Sequence, residues 1–201
     1  MTVGPELTFV GDAIDDLATL RRVSAPHAAL LKRRNGYIAF RGGLHIRGAV
    51  ISPSWHSLHA AWDGDQSLHQ RYPAVHETDV PFGEDCVGDQ FLLRNDLVVQ
   101  LMAETGEIER TDLTLDQFIA TCESDPIEFL VMHPLLQLES EGISLKPGEL
   151  VHAYPPFCSN EAANGVSLAA VPSAELLEFH SQLARTIGPL KDGDRIVVRV
   201  E

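Results

Sequence analysis

The chain has 201 residues, 44% of them hydrophobic and 22% charged, enough for one domain with a sizeable core or for a domain plus a small appendage. No run of apolar side chains exceeds four residues, which excludes a membrane-spanning helix of about 20. Fifteen basic against 29 acidic residues give a net charge of −14, a field that repels a phosphate backbone and argues against direct nucleic-acid binding.

In chain order, Val10, Ile14, Leu17 and Leu20 lie near helical spacing and predict an amphipathic helix ending near Arg22. Ser24-Ala25-Pro26 starts a second helix, which Asn35-Gly36 closes. Residues 37–40 and 44–46 flank Gly42-Gly43 as a hairpin would. Pro53-Ser54 introduces a short helix with Trp55, Leu58, His59 and Trp62 on one face, stopped by Asp63-Gly64-Asp65. Two strands over 90–93 and 97–102 are separated only by Arg94-Asn95-Asp96, so they predict a tight antiparallel hairpin. Thr105-Gly106 turns into a short strand at 107–109.

Thr114 and Gln117 form a capping-box pattern, and Leu115, Phe118, Ile119 and Cys122 fall at i, i+3, i+4 and i+7 behind it. Ser124-Asp125-Pro126 restarts a helix with Ile127, Phe129 and Leu130. Helices, then strands, then helices indicate an α+β fold with an antiparallel sheet packed against helices. A boundary near Glu139-Ser140-Glu141-Gly142 divides the chain into 1–138 and a C-terminal α/β extension, 139–201, which is small enough to need packing on the first domain. The extension carries a helix from Ser173, with Leu176, Leu177, His180, Leu183 and Ile187 on its apolar face, and a final strand over 195–200 after Asp192-Gly193-Asp194.

Signatures of catalysis are weak. Glu84, Asp85 and Asp89 lie within six residues and suggest a carboxylate site for a hard cation, but the spacing is not that of a calcium loop, and glycines with polar caps also suit a turn. His56 and His59 are three apart, yet Ser57 stands where a zinc hydrolase would carry its acid, so these histidines read as core or partly exposed residues. Cys158 with His152 and His180 can be drawn as a nucleophile and base, a weak pattern in a chain with three cysteines and nine histidines. No GxSxG, Walker A or GxGxxG sequence occurs. Cys86, Cys122 and Cys158 form no CxxC pair and read as the reduced thiols of a cytoplasmic protein. The Trp55 and Trp62 rings read as core. Tyr154-Pro155-Pro156-Phe157 reads either as a loop for an interface or, preferably, as the crossing that staples the tail to the core.

Charge carries more. Residues 1–75 have a net charge of +2, whereas 76–128 hold two basic and 14 acidic residues, a net of −12. Such a field attracts a basic protein and speeds its encounter. The bland reading is a solvated acidic face that keeps the protein soluble. The sharper one is a partner-binding face built on Glu84, Asp85, Asp89, Glu104, Glu107 and Glu109.

The order of motifs resembles the SUKH superfamily, which contains bacterial immunity proteins of polymorphic toxin systems. The resemblance rests on two N-terminal helices ending at Asn35-Gly36, Gly42-Gly43-Leu44, and Val80-Pro81-Phe82-Gly83-Glu84-Asp85-Cys86-Val87-Gly88-Asp89-Gln90-Phe91. The Glu104-Thr105-Gly106-Glu107 turn and the helix 115–122 complete it, over residues 7–131. The resemblance implies a non-enzymatic cytoplasmic protein, without cofactor or catalytic metal, that binds and neutralises a cognate toxin, often a nuclease. It also implies that Phe82, Glu84, Asp85, Gly88 and Gln90 serve as scaffold. Two other readings stand beside it: a small metal-assisted hydrolase using Glu84, Asp85 and Asp89, and a housekeeping interaction module of the same fold.

Overall fold

The computed structural model describes residues 6–64 and 66–189. In chain order the strands and helices of the first half are β1 (Leu7–Val10), α1 (Leu17–Leu20), α2 (Ala25–Arg33), β2 (Tyr37–Ala39), β3 (Leu44–Ile46), α3 (Leu58–Trp62), α4 (Leu68–Arg71), β4 (Val80–Asp85) and β5 (Gln90–Arg94). The second half adds β6 (Leu97–Met102), β7 (Glu107–Thr114), α5 (Leu115–Ser124), α6 (Pro126–Phe129), α7 (His133–Ser140), β8 (Glu149–Tyr154), β9 (Ser167–Pro172) and α8 (Ser173–Ile187). The fold is α+β. Seven strands form one antiparallel sheet in the order β1-β2-β3-β4-β5-β6-β7, and β8-β9 form a separate antiparallel pair. No helix among the described residues is long and apolar enough to cross a membrane.

The local signals that hold are the ones closed within a few residues. Pro26 opens α2 and Gly36, at a positive φ of 74°, follows its end. Arg94 pairs with Leu97 across a two-residue loop in which Asn95 and Asp96 both have positive φ, the turn whose twist suits a hairpin. Thr114 and Gln117 close a reciprocal capping box, and Leu115, Phe118, Ile119 and Cys122 are the buried residues of α5.

Three expectations change. The stripe Val10 to Leu20 is not one helix: Val10 lies in β1, paired with Tyr37, and only the single turn Leu17–Leu20 is helical. The strand beginning at Glu107 runs on to Thr114. The segment around the tryptophans splits into a 3-10 turn, Ser54–His56, and α3, whose N-cap Ser57 resets the helical phase, so His56 is buried and His59 exposed. The predicted final strand over 195–200 and the Asp192-Gly193-Asp194 turn lie outside the described residues.

Alternation along the strands sends side chains to two cores. On one face Phe82, Phe91, Leu93 and Val98 pack with Leu30 of α2, Phe118 and Cys122 of α5, Leu135 and Leu138 of α7, and Val151, Ala153 and Leu168 of β8 and β9. On the other, Leu92, Val99 and Leu101 pack with Leu68, Tyr72, Val75 and Ala184 of α8. Residues after 139 thus contribute to both cores, and the Val151 N–H donates to the Cys86 carbonyl at 2.8 Å.

Candidate functional site

A bulge between Pro81 and Gly83 breaks the alternation of β4, so Phe82 points into the first core while Glu84, paired with Gln90 next to the core residue Phe91, points to the opposite face. There it pairs in register with His45 of β3, at 2.8 Å from His45 Nδ1 to Glu84 Oε1. Arg47, two residues beyond His45, donates to Glu84 Oε2 at 2.7 Å, and also to Gln90 Oε1 at 2.7 Å. The Gln90 amide donates to Glu84 Oε2 and to the Gly88 carbonyl. Burial alone would push the Glu84 carboxyl up, but Arg47 and His45 hold it down at about 2, so it is ionised. His45 Nε2 in turn lies 2.8 Å from His56 Nδ1.

The predicted binding residues separate into two groups. Glu84, Asp85 and Asp89 are 4%, 2% and 8% exposed and present no surface to a protein partner. Asp85 Oδ1 accepts the N–H groups of Val87 and Asp89, and Asp89 Oδ1 accepts that of Ala103, so both tie down the β4–β5 turn and the end of β6. Burial raises both carboxyls, Asp89 to about 6 and Asp85 well above its ordinary value, where the neighbouring Asp89 adds to the shift. Glu104 is half-buried and clamps the loop after β8, accepting from the N–H groups of Phe157 and Cys158 at 3.1 and 2.7 Å. Only Glu107 and Glu109 are exposed.

The outward carboxylates lie farther along the chain. From β7 through α6, Glu107, Glu109, Asp112, Asp116, Glu123, Asp125 and Glu128 are all exposed. Against these seven stands one basic residue, Arg110, whose guanidinium is already 2.9 Å from Asp112. The strand β7 ends the sheet order. Sequence reading placed an acidic surface within 76–128 and named Glu107 and Glu109 of these seven, but not Asp112, Asp116, Glu123, Asp125 or Glu128.

The hydrolase arrangement is not brought together. Glu84 is committed to Arg47, His45 and Gln90, while Asp85 and Asp89 bind backbone. Among the described residues no three His, Cys, Asp or Glu side chains are placed to hold a metal ion. The two clefts that reach Glu84 have about 10 and 30 Å³ of room, the scale of single waters and far below the several hundred of a metabolite pocket. Cys158, His152 and His180 do gather around Glu104, with His180 Nε2 at 3.9 Å from its carboxylate. Burial and the Glu104 charge push the Cys158 thiol up to about 12, the opposite of what a nucleophile needs. In the loop between, Pro156 is buried while Tyr154 and Phe157 face outward, so the loop both staples the tail and offers aromatic surface.

Arg47 and His45 were not singled out by sequence reading. The alternation Leu44-His45-Ile46-Arg47 held the signal: it places His45 and Arg47 on one face of a strand, where a carboxylate partner is required.

No protein-family model and no curated protein matches the chain. Among solved structures, the crystal structure of Atu4351 from Agrobacterium tumefaciens is similar in fold, with a TM-score of 0.56 over 90% of this chain and 85% of that one, at 13% sequence identity.

Proposed function

We propose that this chain is a non-enzymatic, immunity-type binding protein with a SUKH-like domain, which neutralises a basic protein toxin inside the cell. A nuclease is one class of toxin that fits. The observation that carries the reading is the run of seven exposed carboxylates against one paired arginine from β7 through α6. Charged side chains on an edge strand also discourage edge-to-edge pairing, but that role asks for charge on β7 alone. Here the acids continue onto α5 and α6, a shape suited to drawing in a cationic surface. The inward hairpin carboxylates serve as scaffold, in line with what the family resemblance implies for Glu84, Asp85 and Gln90.

The test is a pull-down from the native host at low salt, eluted with rising salt, beside a variant carrying Glu107→Lys, Glu109→Lys, Asp116→Lys and Glu123→Lys. The reading expects one basic protein held by the natural chain, released by salt and lost by the variant. Equal capture by both chains would count against the acidic face. Capture of no basic protein would count against the function.

A further inference from the structure

Between the Glu84 carboxylate and the backbone carbonyl of Asn35 run three polar contacts in series. Glu84 Oε1 lies 2.8 Å from His45 Nδ1, His45 Nε2 lies 2.8 Å from His56 Nδ1, and His56 Nε2 lies 3.3 Å from the Asn35 oxygen. Both ends are acceptors, since Glu84 is held ionised by Arg47 and a carbonyl carries no proton. Each of the three gaps takes one proton, and two neutral imidazoles bring one each. One gap is therefore left without a proton, and the longest is the one at Asn35. In that state both rings carry their proton on Nδ1, and His56 Nε2 is bare.

The space around that nitrogen is made by backbone. A Cβ on Gly11, Gly36 or Gly48 would stand 2.4, 2.7 or 2.8 Å from His56 Nε2. These glycines follow β1, precede β2 and follow β3, so three segments meet at one ring nitrogen without a side chain among them. The charged groups facing the two rings are Glu84 from β4 and Arg47 from beyond β3. The remaining faces are aromatic, with Phe9 of β1 4.9 Å from His56 and Trp55 5.3 Å from His45.

We infer that His45 and His56 bind one further proton as a unit, taken up at His56 Nε2 against the Asn35 carbonyl and delivered as charge to the His45 ring beside Glu84. A solvent proton adds to the Nε2 lone pair, and the proton on His56 Nδ1 passes to His45 Nε2. No bond between heavy atoms changes, and the pair gains one positive charge. Every gap then holds a proton, and the imidazolium stands next to its carboxylate. Burial, and for His56 the neighbouring His45, hold both rings below the ordinary histidine range, His56 at about 4, so uptake belongs to acid well below that range. The result is an acid-responsive joint at the meeting of β1, β2 and β3.

Histidine-selective nitrogen NMR on the full chain, from about pH 7.5 to about pH 3, tests this. At the upper end both Nδ1 atoms should be protonated and both Nε2 atoms bare. On acidification His56 Nε2 should gain a proton at the same midpoint at which His45 Nε2 loses its bare character, with one proton taken up for the two rings. Glu84→Gln should lower that midpoint by removing the carboxylate; if that variant does not fold, the natural chain's shared midpoint remains the deciding readout. Three results would each overturn the inference: separate midpoints with a full proton on each ring, His56 Nε2 already protonated at the upper end, or both rings neutral until the protein unfolds.

Discussion

The Arg47 guanidinium and the Glu84 carboxylate meet at 2.7 Å with both side chains only 5% exposed. Each is the other's charge partner in a buried place. Taking Glu84 away leaves a buried guanidinium uncompensated and removes one of the two acceptors of the Gln90 amide, which keeps the Gly88 carbonyl. Glu84→Ala is therefore expected to cost roughly 3–5 kcal/mol in urea unfolding. A loss within about 0.5 kcal/mol would be the value of a surface site and would contradict this placement.

Buried histidines set the pH response. Burial holds His27, His56 and His180 at about 4, whereas the unfolded chain titrates them near about 6.5. Between those values the unfolded state binds more protons, so stability falls as pH falls through the window. His45 and His152 act in the same direction. Asp89, raised to about 6, and Asp85, raised as well, act in the opposite one, because the folded chain takes their protons first. Five histidines outweigh two carboxyls, and the melting temperature should drop between about pH 7 and about pH 4.5. A flat or rising profile would refute that balance.

Cys158 should behave as a poor nucleophile. With its thiol at about 12, and Cys86 and Cys122 buried, alkylation near neutral pH is expected to be slower than that of a free cysteine. Cys158→Ser should leave folding intact. Rapid selective labelling of Cys158 would reopen the Cys–His pairing.

Phe118 sits at the centre of an aromatic cluster, 5.5 Å from Phe82, 4.6 Å from Phe91 and 5.5 Å from Phe129. It joins α5 to β4, β5 and α6 and is fully buried. Phe118→Ala should lower unfolding free energy by about 3–5 kcal/mol. Denaturant melts of this variant and of the surface variant Glu109→Gln, expected to change by less than about 0.5 kcal/mol, make the comparison.

What the sequence revealed tracks how locally each feature is determined. The capping box of Thr114 and Gln117 is complete within four residues, and the Asn95-Asp96 turn within two, so both were legible. Val10 was misread as helical because its strand exists only through pairing with 37–39, a contact that periodicity does not encode. His56 and His59 exchanged places because a helix was assumed to run unbroken through Ser57, which instead caps a new one. Glu84 looked like surface because its burial depends on Arg47, 37 residues away. The acidic excess was legible as a total. Which carboxylates face outward was not, since that depends on where β7 and α5 lie in the fold.

The most direct measurement is growth rescue. The basic protein captured at low salt would be expressed alone, with the natural chain, and with the chain bearing Glu107→Lys, Glu109→Lys, Asp116→Lys and Glu123→Lys. Toxicity alone, rescue by the natural chain and failure of rescue by the folded variant are the predicted results. Equal rescue by both chains would remove the acidic face from the mechanism, and a captured protein that harms no cell would remove immunity itself.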